Sequence, residues 1–319
     1  MPGKKKVDAP PPDKLMKTLA RRGPHKVDRG DLGIVGIPGQ IFAPREGKDL
    51  PAAVFAHAWL AGSDRYRDLM FHLASWGVVV AAPDSERGPL ASQVELATDL
   101  RAALTVATGV QLGEAGKITV DAEKLAVVGH GFGAAAAVFA ASSRTLLGRP
   151  QIPVKALVAL FPAPTTSDLL PTAKDVSAPS LILAAADQLD SFTGNALGLA
   201  KNLGGDVVLR TLAGATDRGL LEKPSLKSLI GINGADKATH KQVRAQATGY
   251  LLYRLTGDET YAAFADPEET MGDSLAVDVA DQRPVDANHL AQLLGTPPYA
   301  EDKSSKKGVA GMVARRLTP

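Results

Sequence analysis

From about Leu32 the chain alternates short, nearly unbroken apolar runs with longer stretches of mixed character. The runs are LGIVGIPGQIFAP (32–44), AAVFAH (52–57), GVVVAAPD (77–84), KLAVVGH (124–130), KALVALFP (155–162), SLILAAAD (180–187) and DVVLRTL (206–212). Runs of this length without polar alternation are what strands buried on both faces require. The first is expected to hold two short strands around its Gly and Pro, and each of the others one. Between them lie DRYRDLMFHLASW (64–76), ASQVELATDLRAALTVA (91–107) and GAAAAVFAASSRTLL (133–147), which read as helices, and a last helix is expected over about 235–255. Strands alternating with helices predict an α/β fold: a mostly parallel central sheet with helices on both faces.

The pattern fades at both ends. Residues 1–30 read as a flexible, Pro- and Lys-rich tail, 31–256 as a single domain, and 257–319 as an acidic extension followed by a short basic tail. Within that last part KKGVAGMVARRL spaces Val309, Met312, Val313 and Leu317 as a short basic amphipathic helix would, against its two glycines.

Charge sharpens this division. The net charge is only +2, yet residues 1–30 hold nine Lys or Arg against three Asp, and residues 257–287 nine acidic residues against one Arg. Such blocks are usually solvated tails; their functional reading is docking on an acidic protein, nucleic acid or another anionic surface. No apolar run reaches the length of a membrane span, and the charged start lacks the apolar segment of a secretory leader, so a cytoplasmic protein is expected, with peripheral membrane contact as an option. Cysteine is absent, which excludes a thiolate nucleophile and cysteine metal sites. No histidine pair has metal-ligand spacing and no phosphate-binding loop is present, so neither metal nor cofactor is expected.

The candidate chemistry centres on VVGHGFGAAAA (127–137). A strand runs through Gly129-His130-Gly131-Phe132-Gly133 into small helix formers, the frame of a nucleophile elbow, G-x-S-x-G, with glycine at its centre. Together with VFAHAWLAGSDRYRDLMFHLASWGVVVAAPD, PSLILAAADQLDSF and LRTLAGATDRGLLEKPS, in that order, the stretch resembles the α/β-hydrolase superfamily, and within it the cutinase, polyester-hydrolase and dienelactone-hydrolase-like branch. The likeness covers about residues 32–255. It implies an α/β-hydrolase fold and a Ser–Asp/Glu–His triad in that chain order.

Carried over by position, the resemblance puts the nucleophile on Gly131, which has no side chain to acylate. The acid falls on Asp190, with Asp187 as the alternative. The base falls on Asp217 in GATD, whose reference pKa of about 3.9 makes it a poor base. The resemblance also implies an oxyanion hole from the Phe132 and Trp59 backbone N–H groups, and a cleft lined by Trp59, Phe132 and Phe192. Packing alone is the other reading of those three rings. His57 and His130 are expected in structural roles beside the site.

Two readings follow. One is a non-catalytic hydrolase-like protein that binds a small apolar or ester-like ligand or a protein partner. The other is an atypical ester hydrolase or acyltransferase with a relocated nucleophile, for which Ser63, Ser85, Ser142, Ser143 and Ser191 are the candidates and Ser191 the foremost.

Overall fold

The computed structural model describes residues 9–113, 116–163, 169–186, 188–189, 191, 194, 196–222 and 236–280. Nine strands form one sheet: β1 (Val27–Asp31), β2 (Gly39–Pro44), β3 (Gly47–Ala56), β4 (Val79–Pro83), β5 (Ile118–His130), β6 (Ala156–Leu160), β7 (Ser180–Ala185), β8 (Val207–Leu212) and β9 (Ser274–Ala276). Their order is β1-β2-β4-β3-β5-β6-β7-β8-β9. The six strands from β4 to β8 in that order are mutually parallel, whereas β1, β2 and β9 pair antiparallel at the edges. This is the mostly parallel sheet that the apolar runs predict.

Side-chain alternation divides the core. Along β5, Leu125 and Val127 join the cluster beneath α3 (Gln93–Gly109), α4 (Phe132–Ala141), α5 (Leu169–Ala173) and α6 (Ala196–Asn202). Ala126 and Val128 face the other way, toward α1 (Pro12–Leu19), α2 (Arg67–Ser75) and α7 (Lys237–Thr256). Successive side chains on a strand point to opposite faces, so a sheet covered on both must be apolar throughout. The connection through α2 places β4 on one side of β3, and the return through α3 places β5 on the other. A crevice opens at the carboxyl ends of the strands where such a reversal occurs.

Three expectations need correction. Leu32–Val35 is a 3-10 turn instead of a strand: Asp31 Oδ1 accepts from the Gly33 N–H at 2.7 Å, and Gly36 closes the turn in the left-handed region at φ 81. The stretch 1–30, expected as a flexible tail, contains α1 and most of β1, with Leu15, Met16 and Leu19 buried on one face of the helix. The start of the expected extension lies along the domain, as a 3-10 helix over Glu259–Ala265 and strand β9. The elbow helix stops at Ala141, short of Leu147. The basic amphipathic segment at 309–317 and His289 lie outside the described residues.

Two buried arginines account for the end of α4 and the seating of the extension. Arg101 of α3 donates to the carbonyls of Phe139, Ala140 and Ser142, and to those of Arg144, Arg149 and Pro150, closing the carboxyl end of α4. Arg210 of β8 donates to the carbonyls of Ala263, Phe264, Asp266 and Glu269, fastening the segment after α7 to the sheet. Burial lowers the Arg210 pKa to about 10, with Asp266 and Glu269 opposing the shift. A planar cation with five donors can satisfy this many carbonyls where a lysine cannot.

Candidate functional site

The loops at the carboxyl ends of β3, β5 and β8 build the site. After His130 the chain turns through Gly131 at φ 57, ψ −115 and enters α4 at Phe132. The Gly131 N–H donates to the Leu160 carbonyl at 2.9 Å, which extends the pairing with β6, and its carbonyl accepts from Ala134 at 3.1 Å, which starts the helix. The flanking glycines are required by close approach. A Cβ on Gly129 would strike the Gly133 backbone, and one on Gly133 would strike the Ala56 carbonyl. At Gly131 the constraint is conformational, because a Cβ there would meet only the Ala58 Cβ, at an ordinary 3.5 Å. The turn therefore has space for a side chain at its tip, and the sequence supplies none.

β3 delivers the second loop. His57 is fully buried, with Nε2 2.7 Å from the Ser85 carbonyl and Nδ1 3.0 Å from the Ala58 carbonyl. Its ring ties this loop to the one after β4. Next to it Trp59 is 53% exposed and Leu60 55% exposed, the latter at φ 55, so neither side chain is taken up by the core. Phe132 is half-buried and packs on the α3–α4 side of the sheet.

A buried tyrosine that the sequence did not single out joins these loops. Tyr66 Oη accepts from the Ala58 N–H at 3.1 Å and lies 2.7 Å from His130 Nδ1. In the tautomer with its proton on Nε2, the neutral imidazole accepts the Tyr66 hydroxyl proton at Nδ1. The Tyr66 ring is tilted 52° on Phe55 at 4.7 Å, and Phe161 meets the His130 ring edge-on. Burial raises the Tyr66 pKa well above its ordinary value and lowers that of His130 to about 4, against the attraction of Asp217. Both groups are thus held neutral. The only sequence signal for Tyr66 is a tyrosine inside an otherwise charged turn before an amphipathic helix.

The third loop follows β8. Thr216 caps a 3-10 turn over Asp217–Leu220, accepting from the Gly219 N–H, and the carboxylate of Asp217 acts on both His130 and Tyr66. Two residues past the turn, Glu222 accepts from the N–H groups of Asp68 and Leu69 at 2.8 and 2.9 Å, capping α2 from a distant part of the chain. Burial lifts its pKa to about 7 even though both hydrogen bonds favour the charged form. Gly131, Ala58, His130 and Asp217 thus come together. Asp187, Asp190 and Phe192 lie outside the described residues.

The alternative nucleophiles are differently engaged. Ser85 Oγ donates to Asp99 Oδ2 at 2.5 Å, and His57 binds the Ser85 carbonyl instead of its hydroxyl. Ser142 Oγ donates to the Phe139 carbonyl at the far end of α4. Ser63 is fully buried, with its N–H on Asp84 and its Oγ lacking a partner among the described residues. Ser191 forms an isolated bridge with Gly194. The triad device needs an imidazole on the hydroxyl, whereas Ser85 Oγ has the Asp99 carboxylate there and Ser142 Oγ a backbone carbonyl.

Residues 28–180, just under half of the chain, match the Chlorophyllase family model. The match runs from β1 to the first residue of β7 and includes the elbow, but ends before Asp217. No curated protein matches the chain. No helix among the described residues is long and apolar enough to cross a membrane.

Proposed function

We propose, from the mostly parallel sheet and the match of residues 28–180 to the Chlorophyllase family model, that the chain is a hydrolase-like protein that does not hydrolyse and instead uses the crevice around its elbow to hold a small apolar or ester-like ligand, or a protein segment. One observation carries the reading: the elbow backbone is kept at φ 57, ψ −115 while its tip, Gly131, has no nucleophilic atom. Asp217, at the position of the base, points the same way. It is a weak base, and the charge it adds beside His130 does not compensate for a missing imidazole. Loss of triad members leaves at most roughly 10³–10⁴-fold catalysis over water.

What remains suits binding. The Phe132 N–H, the first of α4, has no partner within the helix, and together with the Trp59 N–H it forms the oxyanion hole of the proposed site. Trp59 and Leu60 offer exposed apolar surface next to it. The family name points to chlorophyll as the substrate of relatives, an ester with a large apolar body, and a ligand of that general character fits such a rim. The terminal basic segments would add docking on an acidic partner.

The test compares wild type with the Gly131→Ser, Asp217→His double variant on short-chain and apolar esters and with a fluorophosphonate label. The expected result is no turnover and no labelling in wild type, with activity emerging only in the double variant. Turnover by wild type would overturn the reading, and its loss on mutating Ser191 or Ser63 would assign it to a relocated nucleophile.

A further inference from the structure

We propose that β1 is an interface at which a second copy of this chain docks, the two β1 strands pairing antiparallel about a two-fold axis at Gly30. β1 is the outermost strand on its side of the sheet, and Asp28, Arg29, Gly30 and Asp31 are exposed. The Lys26 carbonyl accepts from the Arg45 N–H at 2.9 Å. Antiparallel pairing alternates, so Asp28 and Gly30 spend their backbone groups on β2, while those of Val27, Arg29 and Asp31 face outward.

The order of the side chains selects one register. A two-fold at Gly30 sets Arg29 opposite Asp31 of the partner subunit and Asp31 opposite Arg29 of the partner subunit, both at hydrogen-bonding positions. A two-fold at Arg29 would set that arginine against its own copy, and one at Asp28 would do the same with an aspartate. Among the described residues Arg29 has no ion-pair partner, and Asp31 uses one carboxylate oxygen, Oδ1, on the Gly33 N–H. Charges on an edge strand normally repel strand addition. Here they repel other strands and other registers but are complementary in this one, which is how charge specifies a partner.

Exposed apolar surface adjoins the same edge. Ile34, Val35 and Val110, at 88%, 45% and 41% exposure, are three of the eight large exposed hydrophobics among the described residues. They line a groove of about 360 Å³ floored by Gly30, Ile41 and Ala43, between the sheet edge and α3. An axis normal to the sheet puts the two grooves on one face, side by side across the seam, so pairing the strands also covers this surface.

The experiment is sedimentation velocity of the full chain from micromolar to submillimolar concentration, with hydrogen exchange read at Arg29 and Asp31. Wild type is expected to dimerise with concentration, protecting those two amides. Arg29→Asp should weaken association by about tenfold or more, and Arg29→Asp with Asp31→Arg, which restores the complementarity, should recover it. A wild type that stays monomeric, a dimer that Arg29→Asp leaves unchanged, or a double variant no better than the single one would overturn the proposal.

Discussion

Tyr66 Oη stands 2.7 Å from His130 Nδ1 while accepting from the Ala58 N–H, so one buried hydroxyl fixes the loop after β3 against the elbow after β5. Replacing Tyr66 by Phe keeps the ring stacking and leaves an amide and an imidazole nitrogen buried without partners. The expected cost is about 1–3 kcal/mol, measured by urea denaturation, and a smaller change in ring packing should leave the fold itself intact by circular dichroism.

Acid should destabilise the protein through two histidines. His72 and His130 are buried, and burial lowers each pKa from 6.5 to about 4, with Arg244 adding to the shift at His72. The unfolded chain binds these protons first. Stability is therefore full above about pH 6.5 and falls as the pH drops toward 4. In His72→Leu that fall should be shallower, as read from denaturation midpoints across the range.

Glu222 should oppose that trend. Its folded pKa, about 7, lies above the ordinary 4.5 because it is buried, so the folded state holds the proton more tightly than the unfolded one. Its contribution is complete below about pH 4.5 and is lost as the pH rises through 7. Glu222→Gln should lack this decline, and the difference in stability between variant and wild type should shift in the variant's favour from pH 5 to 8.

Arg210→Leu removes four donors to the segment 263–269 without adding a charge. Hydrogen exchange is expected to quicken over 258–276 and protease sensitivity to appear there, while β3 to β7 stay protected. Arg210→Lys should rescue only in part, since an ammonium cannot span carbonyls so disposed. Equal protection in wild type and Arg210→Leu would show that β9 pairing alone holds the segment.

How much of this was legible in the sequence depends on range. The runs at 52–57, 77–84, 124–130, 155–162, 180–187 and 206–212 all became strands, because burial on both faces leaves an apolar signature within the run itself. α1 and β9 carried no such signature. Leu15, Met16 and Leu19 are too few to outweigh their charged neighbours, and β9 is held by pairing with β8, which lies some sixty residues away in the chain. The same holds at the site. Gly131 and Asp217 could be found from local motifs, whereas Tyr66 and Glu222 act across long separations that only folding closes.

The backbone at Gly131 has a directional consequence. A serine forced to φ 57, ψ −115 would store strain on the order of 1–3 kcal/mol, which glycine does not. On the proposed reading, Gly131→Ser alone would bear that instability with an aspartate at 217, and Asp217→His alone would have nothing to activate. Each single change is then uphill or neutral, and only the pair could restore turnover.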